Sequence, residues 1–402
     1  MSTMKDFSWP TTSFNEKEYF SFVEIVKRNA NHMRGRKIYI YGAGIRGCMF
    51  VEFCERLGIE VSGFYDGDSR KWGGTIKGRY IINKFNVDSV DNRYIIISTE
   101  MYAAIEKILK EGGLNEKDDY FYVKSVIYDD FVRNFFDKSD VKYTFMGDCI
   151  FSTVGIDDSC KASLESILND QFSGEIDFIS VHGMPMRTFY HMLRLRIKMG
   201  RVPSHLVVAV NTVMFAGKKN VLPRAQHTPL LEQINNMLLF EDEEFADYIE
   251  LTRQRANRYN TDSFVSASGG ATSKNAEIVT KIRMKQNYMY NLDLNNEGMI
   301  YLGEICKLCS EYQIDFVALL PPINYQRGLA LFGEEFISVC DKNLEIIKQF
   351  VAKYGFECCD LSYLIESSGF ASSDTINEIT NYEGRIQEAN FIYKWLEKER
   401  ND

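Results

Sequence analysis

Residues 143–152 read YTFMGDCIFS. The apolar run Tyr143–Met146 stops abruptly at Gly147-Asp148-Cys149. A strand, a tight turn and then a small nucleophilic side chain is a common way to present a reactive group. Working outward, further strands are expected at IDFISV (176–181), HLVVAVN (205–211), IDFVALLPP (314–322) and FECCDLS (356–362), with helices between them. That alternation describes an α/β unit with a parallel sheet. It is interrupted by a long, mostly helical insertion at 222–300. There the acidic FEDEEFADYIE is a solvated helix face, and SFVSASGGATSKNAE is a loop of the kind that forms a lid or a mobile connection.

A second β/α alternation precedes it. KIYIY (37–41) is a strand, Gly42-Ala43-Gly44 turns the chain, and residues 45–57 carry helical periodicity. Val61–Tyr65 is a strand ending at Asp66; YIIIST (94–99) is a third and YFYV (120–123) a fourth. SFVEIVKRNANHM (21–33) is an amphipathic helix, and YDDFVRNFFDKSDVKY (128–143) a polar helical connector. The expected organisation is an N-terminal helical segment at 1–34, a Rossmann-like domain at 35–130 and a larger α/β domain at 131–402. The 402 residues fit two to three domains at roughly 100–200 residues each.

Composition narrows the partners. A formal net charge of −9 argues against general affinity for nucleic acid or an anionic membrane. No apolar run has the length of a membrane span, about 18 residues. The N-terminus lacks the apolar core of a secretory signal, and nine cysteines show no disulfide-framework spacing. Reduced thiols in the cytoplasm are expected. A homo-oligomer is compatible with all of this, and the sequence does not decide it.

GAGIRG puts Gly42, Gly44 and Gly47 at GxGxxG spacing, after a strand and opening a helix; Asp66 stands where a ribose-binding acid would. Alone, that reads as a dinucleotide site. The continuation VSGFYDGDSRKWGGTIKGRYII resembles the small Rossmann-like domains of bacterial sugar-modifying enzymes, which run GAG, GF-D and K-G--I-G--I. That resemblance implies either a nucleotide or nucleotide-sugar ligand, or a structural or assembly role in which the glycines serve packing. No cofactor is assigned.

The second unit resembles the SGNH (GDSL-like) hydrolase family, a flavodoxin-like α/β/α fold of esterases, acyltransferases and deacetylases. GDC (147–149) matches its nucleophile block with Cys149 in place of Ser. SVHGMP and VVAVNTVMF put Gly183 and Asn211 at its oxyanion-donor blocks. The C-terminal NEITNYEGRIQEANFIYKWL is similar to the family's last block, but isoleucines, Ile376 and Ile379, fall where an Asp and the base His belong. The five histidines are His32, His182, His191, His205 and His227, so no base histidine follows residue 227. Glu378 and Asp374 are the nearby carboxylates, weaker bases for this task unless burial raises their pKa. His182 is a strand-end cap or a base from another direction.

Lesser candidates are CKLC (306–309) with Cys358 and Cys359, a core packing set rather than zinc ligands, and the polar cluster Arg224, Gln226 and His227, a solvated helix start or a pocket-mouth contact. The paired resemblances imply a place in bacterial surface-polysaccharide metabolism. The chain is then a carbohydrate O-acyl esterase or acyltransferase using Cys149, or a catalytically degenerate domain that binds a glycan precursor or a protein.

Overall fold

The computed structural model describes residues 6–7, 13–14, 16–69, 71–82, 92–99, 102–123, 126–137, 141–155, 158–181, 183–217, 227–258, 276–371 and 378–398. The chain is mixed α/β with mostly parallel sheets. It divides into two compact units, Met1–Val126 with Asn257–Val279, and Ile127–Ala256 with Thr280–Asp402.

The first unit holds strands β1 Asp6–Phe7, β2 Lys37–Tyr41, β3 Val61–Tyr65, β4 Thr75–Ile76, β5 Arg79–Ile82, β6 Arg93–Ile97 and β7 Tyr120–Tyr122, in the order β1-β4-β5-β3-β2-β6-β7. All neighbours run parallel except β4 and β5. Those two form a hairpin whose turn residues, Lys77 and Gly78, both have positive φ (50° and 74°). That is the turn whose twist matches paired strands. The second half of the stretch K-G--I-G--I, from Ile76 on, is therefore a hairpin. Helices α1 Glu16–Met33, α2 Ile45–Arg56 and α3 Tyr102–Glu111 complete the unit. Phe22 of α1 meets Phe50 and Phe53 of α2 with ring centroids 5.0 and 5.5 Å apart.

The second unit carries a five-stranded, all-parallel sheet of β8 Tyr143–Gly147, β9 Ile176–Ser180, β10 His205–Ala209, β11 Asp315–Leu320 and β12 Glu357–Asp360. The order β9-β8-β10-β11-β12 is 2-1-3-4-5, a doubly wound sheet. Period-two alternation divides the strands between two cores. Met146, Leu206, Val208, Phe316 and Ala318 enter one. Phe145, Val207, Ala209, Val317 and Leu319 enter the other. Both faces are covered, as a parallel sheet requires. Around it lie α4 Val126–Phe136, α5 Cys149–Ser152, α6 Leu164–Gln171, α7 Met186–Lys198, α8 Thr228–Met237, α9 Glu243–Arg258, α10 Ala276–Tyr288, α11 Glu297–Glu311, α12 Tyr325–Phe332, α13 Glu334–Ala352 and α14 Tyr382–Lys398.

Two features differ from expectation. The segment read as a polar connector is α4, and it buries Phe131, Val132 and Phe135 in the larger core. Charges at Asp129, Asp130 and Arg133 hid an apolar stripe at helical spacing. The N-terminal helix starts at Glu16, one turn or more before the expected apolar run. Among the described residues, no helix is long and apolar enough to cross a membrane.

Two fully buried titratable groups give the second unit opposing pH responses. His191 stacks on Tyr248 at 4.4 Å, and neither ring nitrogen has a hydrogen-bond partner among the described residues. Burial, with the charges of Arg194 and Arg187 beside it, pushes its pKa down to about 3. Glu388 accepts from Thr380; burial pushes its pKa up to about 8, although that bond and Arg385 pull the other way. Below pH 6.5 the unfolded chain protonates its histidine and the folded chain does not. Stability therefore falls with falling pH down to about 3. Above pH 4.5 the unfolded chain ionises its glutamate and the folded chain does not. Stability therefore falls with rising pH up to about 8. Each slope is roughly 1.4 kcal/mol per pH unit, and they cancel where they overlap. Relative to the wild type between about pH 4.5 and 6.5, His191→Phe should tilt urea-unfolding stability towards decreasing with pH, and Glu388→Gln should tilt it towards increasing, each by roughly 1.4 kcal/mol per pH unit.

Candidate functional site

In an open α/β sheet, ligands gather outside the carboxyl ends of the strands where the order reverses. Here that point lies between β8 and β10. Gly147 ends β8; a Cβ on it would come within 2.3 Å of the Phe151 ring, so glycine lets α5 fold back against the strand. Asp148 caps α5, its Oδ1 accepting from the Ile150 N–H at 3.3 Å. Cys149 is the first residue of that helix and is partly exposed.

Asn211 follows β10 and is 2% exposed. Its Oδ1 accepts from the Val213 N–H at 3.0 Å, capping a short 3₁₀ turn, Thr212–Phe215. That bond fixes which end of the amide is oxygen, so Nδ2 faces the switch point. It donates to Glu378 Oε1 at 2.9 Å and to Asp148 Oδ2 at 3.3 Å. The other oxygen of Glu378 accepts from Tyr288 Oη at 2.7 Å. Burial first, then the Glu378 charge, raises the Tyr288 pKa well above its ordinary value, so the phenol stays a donor.

One carboxylate oxygen each from Asp148 and Glu378, and Cys149 Sγ, all lie within 4.8 Å of one another. These three atoms are the set among the described residues that could share a cation. As it stands, the cluster is a thiol beside a carboxylate that an amide and a phenol hold in place. That is the arrangement of a nucleophile, a base and groups that orient the base.

The sequence named Cys149 and Asn211, and the fold brings them together around Glu378. Gly183 lies just after β9 at the same edge, with φ 73°. Ile379 packs partly buried in the smaller core, while its neighbour Glu378 bonds Asn211. Tyr288 was not foreseen. It comes from the helical insertion, 90 residues from its partner, and no local pattern marks it. His182, Arg224, Gln226, Asp374 and Ile376 lie outside the described residues. His227 is fully buried at the start of α8.

Cys306 and Cys309 are buried in α11, and Cys358 lies partly buried in β12. Burial pushes the Cys306 and Cys358 thiols up to about 12 and raises those of Cys309 and Cys359. They stay protonated, as core thiols do.

The glycine turn of the first unit is closed from within. Gly42 has φ 112°, and a Cβ on Gly47 would fall 1.8 Å from the Gly42 carbonyl oxygen, so α2 presses directly on the turn. Asp66, the expected ribose acid, accepts from the Ala43 N–H at 2.8 Å, the Asp68 N–H at 2.8 Å and Lys71 Nζ at 3.0 Å. Lys71 is buried and also donates to the Ala43 carbonyl at 2.9 Å. Trp72 Nε1 donates to the Asp66 carbonyl at 2.8 Å.

No family model and no curated protein sequence matches the chain.

Glu378 and Cys149 should be coupled in solution. One unit charge at 4.8 Å is worth about 0.9 kcal/mol even at the dielectric of water, or about fourfold in thiolate population. Glu378→Gln should therefore speed alkylation of Cys149 by iodoacetamide at neutral pH by about fourfold or more, read by peptide mass spectrometry. An unchanged rate would mean that the two groups are not neighbours.

Proposed function

We propose that the second unit is an SGNH-like acyl-transfer domain that removes or transfers an O-acyl group on carbohydrate. Cys149 is its nucleophile and Glu378 stands in the base position. The observation that carries this is the Glu378 carboxylate, held by Asn211 and Tyr288 within 4.8 Å of Cys149 Sγ. The 2-1-3-4-5 parallel sheet, with Cys149 after its first strand and Asn211 after its third, supports a flavodoxin-like reading.

In this mechanism the Cys149 proton passes to Glu378 as sulfur attacks the ester carbonyl carbon. The carbonyl π pair becomes an oxyanion, facing the Cys149 N–H, with Asn211 and Gly183 as further donors. Collapse expels the sugar oxygen, which takes the proton from Glu378 and leaves a thioester on Cys149. Water, or the hydroxyl of an acceptor, gives its proton to Glu378 and attacks the thioester. The acyl group leaves as an acid or a new ester, and the thiol regains its proton. Two carboxylates oppose a standing thiolate, so proton transfer accompanies attack rather than preceding it.

A second reading is favoured by a specific observation. The Nδ2 protons of Asn211 already serve two carboxylates. An amide so engaged suits a domain that grips a polar ligand without turning it over. The first unit is then read as a structural or assembly module, which the internal satisfaction of Asp66 supports. A nucleotide-sugar ligand there is the competing proposal.

An ester-hydrolysis screen over p-nitrophenyl acetate and O-acetylated sugars separates the two. The enzyme reading expects turnover that Cys149→Ala abolishes, a thioester mass adduct on Cys149, and a kcat loss of about 10²–10⁴ in Glu378→Gln. Equal background rates in wild type and Cys149→Ala sink it for those esters and leave the binding reading.

A further inference from the structure

Arg385 is one of the most deeply buried charges in the second unit, 1% exposed. Its guanidinium is divided between two segments. Towards the first, Nη1 pairs with Asp158 Oδ2 at 2.8 Å, Nε donates to the Ala162 carbonyl at 2.9 Å, and Nη2 to the Cys160 carbonyl at 3.1 Å. Towards the second, Nη1 donates to the Thr380 carbonyl at 2.6 Å. The first segment follows α5 in the sequence, and α5 begins at Cys149; Asp158 also accepts from the Gly155 N–H at 3.0 Å. The second carries Glu378, two residues before Thr380.

Further bonds among the described residues hold the segment that bears Glu378. Ala371 N–H donates to the Ile379 carbonyl at 2.9 Å, and Asn381 N–H to the Gly369 carbonyl at 2.9 Å. Thr380 Oγ1 is bonded to Glu388 on α14, one turn beyond Arg385. A Cβ on Gly384 would fall 2.4 Å from the Gly369 carbonyl oxygen, so the start of α14 lies flat on this loop. Arg385 joins this loop to the segment that follows α5, beside the close approach of Gly155 to Ala371. A planar fork with five donors can meet three backbone carbonyls and one carboxylate on two segments at once, and a lysine ammonium cannot reach them all.

We infer that Arg385 is a positioning residue of the site, which helps to set the spacing of Cys149 Sγ and the Glu378 carboxylate by tying the segment that follows α5 to the one that bears Glu378. This rests on Cys149 and Glu378 working as a pair, but it concerns their spacing and not turnover. The ion pair with Asp158 adds stability in its own right, so a simple loss of function in an Arg385 variant would prove little. Arg385→Lys keeps a cation opposite Asp158 and avoids an uncompensated buried charge.

The experiment is a double-mutant cycle on the rate of Cys149 alkylation by iodoacetamide. Arg385→Lys should speed labelling severalfold, towards the rate of Glu378→Gln, because the carboxylate moves away from the thiol. In the Glu378→Gln background it should add nothing further. Asp158→Asn, which loosens one arm and leaves Arg385 in place, should act in the same direction and also lose its effect in that background. Three results would each overturn the inference. One is the same acceleration factor with and without Glu378. Another is an unchanged rate in a variant that melts cooperatively. The third is equal acceleration at the buried Cys340 and Cys359, which reports general opening rather than a shift in this spacing. The esterase reading can fail while the cycle shows coupling, and the cycle can fail while esterase activity is present.

Discussion

The amide of Asn211 is the constraint on which the second unit's site depends. Its oxygen is committed to the Val213 N–H, so its nitrogen has no choice of direction. A buried amide nitrogen needs acceptors for both its protons, and two carboxylates supply them, one from β8's exit and one from the C-terminal loop. Three segments distant in sequence are thereby held at one point. Replacing Asn211 by an apolar residue would leave Asp148 and Glu378 facing one another with no donor between them. Like charges so placed repel, and the C-terminal segment would lose its hold on the sheet edge.

Much of this was legible in the sequence, for a physical reason. β2, β3 and β8 fall where the apolar runs place them, because buried parallel strands are nearly continuous apolar segments bounded by glycine or acid turns. Once five such strands alternate with helices, their carboxyl ends share one edge, and Cys149 and Asn211 must both stand on it. What was not legible was contact between the edge and remote chain. Tyr288 belongs to an insertion with no pattern of its own. Glu378 was visible as a nearby acid, but its pairing depends on which of two adjacent side chains turns into the core. Ile379 packs against the smaller core, and that leaves Glu378 at the site. Nothing in the local sequence marks Arg385, because its partners Asp158, Cys160 and Ala162 lie more than 220 residues earlier.

The two units use a similar device, a glycine turn after an interior strand of a mostly parallel sheet, in different ways. In the first unit the turn is sealed by its own sheet: Asp66 and Lys71 satisfy the Ala43 N–H and carbonyl together. In the second unit the turn after β8 exposes Cys149 and is completed by residues from far along the chain. A GxGxxG spacing thus signals close packing of helix on turn as readily as it signals a phosphate. Gly47 makes the point, since the space that a Cβ would need there belongs to the Gly42 carbonyl.

The bonds to Asn211 are unequal, and the inequality bears on what the site can do. Nδ2 lies 2.9 Å from Glu378 and 3.3 Å from Asp148. The longer bond is the weaker, and Asp148 keeps its other oxygen on the Ile150 N–H without it. An oxyanion formed at Cys149 would compete with Asp148 for that proton and leave the Glu378 bond intact. The carboxylate that stands in the base position would then stay oriented while the donor beside it changed acceptor. A ligand carboxylate or hydroxyl would have the same opening. The geometry admits both acyl chemistry and binding, and it is the fate of the Cys149 proton, not the position of Asn211, that separates them.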